Sequence, residues 1–467
     1  MEPLQIDDVI RAVDGLLVSG NPKGEVTGVA IDSRAVEPGQ LFFAFQGSRV
    51  DGHGFIGEAL QRGAIGAVIS KPVLVATDRP LIRVRDTCRA LQDLARYYRN
   101  LFRVPVVAVT GSVGKTTTKD LIAGVLSRRF SVLKTRGNYN NEIGLPLTLL
   151  QLTRRHEVAV LEMAMRGRGE IAALCRIGSP QVGVITCIGR THLERLGSQE
   201  AIARAKGELL DALPPEGCAV LNAGDPWQIR LRERVKSRVL YYGESENCDV
   251  RALEVRLLGL EGATFMLRTP LGDAPCHLPF PGRHNVLNAL AAAAVGHWFG
   301  LTPQEIAAGL ASASMTGMRL EVKKGIRGSR IIDDSYNASP DSVKAALRLL
   351  AQVPDKTRAV AVLGDMYELG TETVPGHREV GKAAAELKID CLCTVGELAR
   401  EIAFGACSAG MSPDLIHVFE NRSQALEFLK SYLEEGDLVL IKGSRGIKME
   451  EVSSALTEQV SHDECDR

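Results

Sequence analysis

Short apolar runs separated by turn-forming residues open the chain: GVAIDSRAVEPG, QLFFAFQGS, AIGAVIS and LIRVRDT all fall within residues 1–86. Runs of this length, bounded by Gly and Pro, predict short strands in a small mixed α/β unit. Asp86-Thr87 then caps a segment whose apolar positions Leu91, Leu94, Ala95, Tyr98 and Leu101 recur at helical spacing, a bridge to the next unit. From Pro105 the runs lengthen and become continuous: VPVVAVTG, EVAVLEMA, QVGVITCIG and CAVLNAGD, with helical stretches between them and the Ala-rich helix RHNVLNALAAAAVGHWFG closing the region. Uninterrupted apolar runs are the mark of strands covered on both faces, hence of a mostly parallel sheet flanked by helices. A second such series runs from about residue 315 through RIIDDSYN, AVAVLGDMYELG, DCLCTVGE and DLVLIKGSRG, and the terminal SHDECDR reads as a fraying tail. The pattern therefore predicts an α/β protein of three domains, at 1–86, 87–314 and 315–467, the last with a Rossmann-like alternation. Nearly every strand ends in a polar or Gly-rich cluster. Ligands bind beyond the carboxyl ends of parallel strands, which places the chemistry in a cleft between domains.

Composition narrows the function classes. A chain of 467 residues is long enough for about three domains. With 45% hydrophobic and 24% charged residues, each can bury a core. Lys plus Arg number 56 and Asp plus Glu number 56, so the net charge is 56 − 56 = 0. That balance removes the electrostatic attraction on which general nucleic-acid binding depends. No apolar run approaches the ~20 residues needed to span a bilayer. The acidic start MEPLQIDDVIRAVDG lacks the basic and apolar segments of a signal peptide, so a cytoplasmic protein is expected. The ten cysteines form no C-x-x-C and sit mostly in apolar stretches, where they act as small buried hydrophobes.

The strongest local signal is Thr110-Gly111-Ser112-Val113-Gly114-Lys115-Thr116-Thr117 after the strand VPVVAV. A strand turning through glycines into a helix offers free N–H groups to phosphate; Lys115 adds charge and Thr116 a hydroxyl for Mg²⁺. Val109 stands where a strict Walker sequence has glycine, yet the arrangement reads as a P-loop-type site for a nucleoside triphosphate. Glu162 closes the strand VAVLEMAM at the same sheet edge, where a carboxylate suits Mg²⁺. His192 follows the strand QVGVITCIG, Lys206 lies on an amphipathic helix, and GNYNNEIGLP gathers three asparagines among glycines as either a binding loop or a turn cluster.

In this order the motifs TGSVGKTTTK, GNYNNEIGLP, Glu162 with Gly169-Glu170, THLE, Lys206-Gly207-Glu208, GRHN, Arg319-Leu320-Glu321 and DSYNA resemble the Mur ligase family over essentially the whole chain. DDSYNASP, GDMYELG and KGSRG are similar to the branch of that family that adds D-Ala-D-Ala. The resemblance implies a cytoplasmic ATP-dependent amide ligase of peptidoglycan precursor synthesis, joining D-Ala-D-Ala to a UDP-N-acetylmuramoyl tripeptide through an acyl phosphate. It implies a monomer working without nucleic acid or membrane span. It further implies that Thr110, Gly111, Ser112, Gly114, Lys115, Thr116 and Thr117 hold the phosphates. Asn138, Asn141, Asn285, Arg319 and Asp334 would contact ATP, and Thr116, Glu162, His192 and Lys206 would hold Mg²⁺, with Lys206 carbamylated. Lys115, Glu162, His192 and Lys206 are the implied catalytic set. Ser33, Arg34, Gly47, Asp51 and His53 match the region that receives the UDP-sugar, and Tyr336, Asn337, Lys442, Ser444 and Arg445 the dipeptide side.

The chain departs from the family pattern at Met163-Ala164-Met165-Arg166, where relatives often show Leu-Gly-x-Asn after the metal carboxylate. A folylpolyglutamate synthetase would share the phosphate loop and lack the N-terminal unit of 86 residues. A regulatory nucleotide switch would not need so many metal-ready residues at strand ends.

Overall fold

The computed structural model describes residues 1–47, 50–354 and 356–458; the SHDECDR tail lies outside them. Three large sheets organise the chain. The first has five strands in the order Leu16–Ser19, Leu81–Arg83, Gly66–Ile69, Gln40–Phe43, Gly28–Ala30, parallel except for the first pair. The second has nine. From Val250–Leu257 through Arg238–Gly243, Cys218–Asn222, Val182–Ile185, Val106–Thr110 and Val158–Glu162 to Val132–Lys134 every pairing is parallel. Ala263–Thr269 and Gly272–Leu278 extend it as an antiparallel meander that the apolar-run reading did not anticipate. The third has six strands, with Arg330–Asp333, Leu438–Lys442, Ala359–Gly364, Cys391–Val395 and Ile416–Phe419 parallel and Glu321–Lys324 an antiparallel edge.

The continuous apolar runs form the inner strands because both their faces are covered. Val106–Thr110, Val158–Glu162, Cys218–Asn222 and Leu438–Lys442 are buried at every residue. In the helix Arg283–Trp298 every residue from Ala289 to Val295 is fully buried, so small side chains let this stretch lie close against its neighbours. Leaving alanines rather than charges on every face fits such a helix only to an interior.

Asp86 caps the helix Thr87–Asn100 by accepting from Arg89 N at 2.9 Å. Leu91, Leu94, Ala95 and Tyr98 are buried as their spacing predicts, whereas Leu101 falls just past the helix end and is 54% exposed. That buried face belongs to one apolar cluster running from Leu4, Ile6 and Val9 through Leu91 and Leu94 to Leu145, Leu149 and Ile171. Burying such side chains stabilises by roughly 1.5–3 kcal/mol each, so the helix joins the first sheet to the second as a packed element. Tyr98 pins the same junction: its hydroxyl donates to Leu152 O and accepts from Glu2 N, both at 2.6 Å.

Of the nine cysteines among the described residues all are free and six are buried, consistent with their reading as core residues. No helix among the described residues is long and apolar enough to cross a membrane.

Candidate active site

The loop after Val106–Thr110 is built for close approach. Gly111 has φ +150°, and a Cβ there would lie 1.9 Å from Thr186 Oγ1; Gly114, at φ +84°, faces Asn288 Oδ1. Both positions require glycine. Thr110 donates its hydroxyl to Met163 O at 2.8 Å, and Ser112 Oγ accepts from Gly189 N at 2.9 Å, which locks the loop to its neighbouring strand ends. The helix Lys115–Leu126 starts directly behind the loop, with Thr116 and Thr117 buried in its first turn. Its first N–H groups and its dipole point at whatever occupies the loop.

Two lysines converge on one carbonyl. Lys115 Nζ donates to Gly111 O at 2.8 Å and to Ser112 O at 3.2 Å, while Lys206 Nζ, from the helix Gln199–Asp211, donates to the same Gly111 O at 2.9 Å. Burial lowers the basicity of Lys115; Glu162 opposes that shift and Arg319 adds to it. Lys206 is pushed well below the usual lysine value, first by burial and then by Lys115. Two cations this close disfavour each other's charge.

Glu162 is 2% exposed. Its Oε1 accepts from Asn140 Nδ2 at 2.7 Å, whereas its Oε2 is buried without a hydrogen-bond partner among the described residues. An orphaned buried acceptor costs about 1–3 kcal/mol, a demand that a cation would meet. Asn140 is the residue sequence reasoning missed. GNYNN offers three asparagines, and nothing in the spacing says which reaches the carboxylate. Asn141, expected on the nucleotide, has its Oδ1 accepting from Ile143 N and Gly144 N at 3.2 and 2.8 Å, closing the turn into the helix Gly144–Leu149. Asn138 is exposed on the same loop.

His192 adopts a left-handed backbone (φ +62°), and its Nδ1 lies 2.6 Å from Glu368 Oε2 in the loop after the strand Ala359–Gly364. Burial lowers its basicity while Glu368 works the other way; Lys206 and Lys115 reach it as well. Thr116, Glu162, His192 and Lys206 thus gather at one edge. Among the described residues no three His, Cys, Asp or Glu side chains form a metal cage. One orphaned carboxylate oxygen, a hydroxyl and a histidine fit a Mg²⁺ that keeps waters and substrate oxygens, and they fit it better if Lys206 carries an anionic group.

From the third domain, Arg319 brings a guanidinium whose Nε is buried and has no hydrogen-bond partner among the described residues. Asp334 pairs with buried Lys442 at 2.5 Å, and Lys442 also donates to Asn337 O at 2.9 Å, so this lysine braces its own loop. His284, whose basicity burial lowers, feels both Asp334 and Lys442, placing that pair beside the start of Arg283–Trp298. Asn285 donates to Pro281 O at 2.8 Å and accepts from Asn288 Nδ2 at 3.0 Å, linking the helix start to the residue behind Gly114. Ser444 is buried, its hydroxyl accepting from Tyr367 N at 2.9 Å. Arg445 is exposed and paired with Glu450 at 2.9 Å. Arg190 closes the cleft: it reaches Glu379 at 2.7 Å, Asp341 at 3.2 Å and Glu372 at 3.7 Å, all on the third domain.

The first-domain candidates lie apart from this edge and are engaged locally. Ser33 Oγ donates to Glu58 at 2.8 Å, and Arg34 forms a two-point pair with Asp32 at 2.9 and 2.7 Å. Gly47 N donates to Val50 O at 3.0 Å. Asp51 accepts from His53 N at 3.0 Å, meets His53 Nδ1 at 2.7 Å and binds Lys71 Nζ. His53 Nε2 accepts from Ser70 N at 3.0 Å, so its proton sits on Nδ1.

The chain is similar to known proteins over nearly its whole length. Residues 25–99 match the Mur ligase family catalytic domain, 109–296 the Mur ligase middle domain, and 318–445 the Mur ligase glutamate ligase domain. A UDP-N-acetylmuramoyl-tripeptide–D-alanyl-D-alanine ligase of Bacillus subtilis is 39% identical over 97% of this chain and 98% of its own. Among solved structures, MurF from Acinetobacter baumannii superposes with a TM-score of 0.90 at 34% identity, covering 98% of this chain and 100% of that one. A MurF ligase from Thermotoga maritima in complex with ADP gives 0.79 at 30% identity over 92% of this chain and 97% of that one.

Proposed function

The chain belongs to the Mur ligase family, and on that premise we propose that it is the ATP-dependent ligase that joins D-Ala-D-Ala to the terminal carboxylate of a UDP-N-acetylmuramoyl tripeptide. The observation that carries the chemistry is the pair of lysines on Gly111 O together with Glu162, which reaches Lys115 and keeps one oxygen without a partner among the described residues. This edge demands both a polyanion and a cation, which is what ATP and its metal supply.

A carboxylate is a poor electrophile, so it must first gain a leaving group. One of its oxygens attacks the γ-phosphorus, a new O–P bond forms, the bond to the bridging oxygen breaks, and ADP leaves. The neutral amine of D-Ala-D-Ala then adds to the acyl carbon, forming the N–C bond; the tetrahedral intermediate collapses with cleavage of the C–O bond to phosphate, and the proton lost by the nitrogen leaves with the departing phosphate. Lys115, the loop amides and Arg319 hold the phosphates and offset the repulsion between ATP and the incoming carboxylate. Thr116, Glu162 and His192 would hold Mg²⁺, which when bound would supply charge neutralisation for the transferring phosphoryl group. The third domain excludes water from the acyl phosphate when Arg190 and Glu368 meet their partners.

Lys206 serves this site as a carbamate. Only a neutral amine adds to CO₂, and burial beside Lys115 supplies one. The N–C bond forms as one C=O π bond of CO₂ opens, the nitrogen's proton leaves to solvent, and the neutral amine becomes an anion with two oxygens for the metal. The first domain, 1–86, receives the UDP-sugar through Ser33, Arg34, Gly47, Asp51 and His53; the central domain, 87–314, carries ATP; the third, 315–467, closes over it and presents Asn337, Ser444 and Arg445 to the dipeptide. The enzyme acts as a monomer in the cytoplasm.

The test is a coupled assay of ADP release. It should require both UDP-N-acetylmuramoyl tripeptide and D-Ala-D-Ala; equal ADP release without either acceptor would overturn the ligase reading.

A further inference from the structure

Arg319 is held in place with unusual care. Met318 and Leu320, on either side of it, both adopt the left-handed region, φ +61° and +53°. Residues with a Cβ stay there only when their surroundings hold them. Glu321 Oε2 accepts from Met318 N at 3.1 Å, and Tyr336 N donates to Met318 O at 3.4 Å, so the turn that displays Arg319 is tied to the segment bearing Tyr336. The guanidinium carbon of Arg319 lies 4.3 Å from the centre of the Tyr336 ring. That of Arg445 lies 5.8 Å from the same centre. No hydrogen bond among the described residues uses the buried Arg319 Nε, yet its charge reaches Lys115 and lowers the basicity of that lysine. A ring face can hold a guanidinium without consuming its donors. A carboxylate in the same place would neutralise the charge that a triphosphate needs.

We propose that Tyr336 is the positioning residue for Arg319, its ring face fixing the guanidinium toward the phosphate loop, so that Tyr336 serves the nucleotide and not the incoming dipeptide. This deepens the reading of Arg319 as an ATP contact and rests on it. The ring matters and the hydroxyl does not. Arg445 lies farther from the same ring and is paired with Glu450.

Binding of a non-hydrolysable ATP analogue, measured by titration calorimetry on the full chain, tests the assignment together with steady-state kinetics. Tyr336→Leu should weaken analogue binding about tenfold, equivalent to ~1.4 kcal/mol, and raise the KM for ATP in step while leaving the KM for D-Ala-D-Ala unchanged. Tyr336→Phe should bring analogue affinity back to within about twofold of wild type. In an Arg319→Ala background, Tyr336→Leu should add nothing further, because the two act as one unit. If Tyr336→Leu proves poorly folded by thermal melting, the Phe and Arg319→Ala arms and a Tyr336→Trp variant, which keeps a ring face, carry the test. A raised KM for the dipeptide with unchanged analogue affinity, or additive losses in the double variant, would overturn the proposal. An Arg319→Ala enzyme that binds the analogue normally would instead overturn the underlying reading of Arg319.

Discussion

The first domain and the phosphate-loop edge carry polar candidates of similar kinds, and the structure treats them in opposite ways. Asp51, His53, Ser33 and Arg34 are each engaged by a neighbour in their own unit. At the phosphate-loop edge, Glu162 Oε2 and Arg319 Nε are buried without hydrogen-bond partners among the described residues, and two lysines donate to one carbonyl. Local satisfaction keeps a small domain folded; unmet demand in a larger, well-packed one is affordable because the nine-stranded sheet and its Ala-rich helix hold the strand ends in place. Unsatisfied buried polar groups cost stability. Where several of them converge, a ligand is the natural partner.

The largest expected effect comes from removing that demand at its centre. Lys206→Ala should lose about 10³-fold in kcat, the scale of deleting one charged stabiliser at a reacting centre. High concentrations of a short carboxylic acid should restore part of it by entering the space vacated. Lys206→Met fills that space and should be as inactive and beyond rescue. Wild-type turnover in either variant would place Lys206 outside the chemistry and erase the contrast between the two regions.

How much of this was legible follows from what each feature depends on. The buried strands, the Ala-rich helix and the phosphate loop are local: a run of apolar residues, or glycines at fixed offsets before a helix, carries its own physical reason. The antiparallel pair Ala263–Thr269 and Gly272–Leu278 was also local, since its inward positions alternate along ATFMLRT and DAPCHL, but alternation over so few residues is easily passed over beside longer runs. The partner of Glu162 was not legible, because Asn140 differs from Asn138 and Asn141 only in where the folded loop points. Nor were the approach of Asn288 to Gly114 or the contact of His192 with Glu368, which join segments far apart in sequence. Leu101 misled for a simpler reason: periodicity continues through a residue at which the helix has already ended.

A middle-sized effect tests whether the third domain completes the edge. Arg190 pairs with three carboxylates of that domain, all partly exposed, so solvent screening keeps their joint worth near ~1 kcal/mol. Arg190→Ala should raise the KM for ATP about fivefold, and wild-type KM should rise with salt more steeply than that of the variant. A KM indifferent to both changes would mean that closure does not run through this arginine.

The smallest effect lies in the first domain and concerns pH more than catalysis. Lys71 first, then the His53 N–H and ring, hold the Asp51 carboxyl well below the usual carboxylate range, and Arg34 holds that of Asp32 at about 2. A carboxyl whose folded-state value is depressed stabilises the fold above its unfolded value, near 4, and that contribution fades as pH falls through the folded value. Both groups are exposed to solvent, so each contribution is small. Asp51→Asn keeps an oxygen to cap His53 N but loses the charge. It should lower the melting temperature slightly at neutral pH, and the gap from wild type should narrow as pH falls from about 4 toward 2. Its KM for ATP should match wild type. A large rise in the KM for the UDP-muramoyl substrate is the outcome that fits Asp51 as a sugar-nucleotide contact whose bonds to His53 and Lys71 give way to the substrate; an unchanged KM would make Asp51 scaffold and remove it from that site.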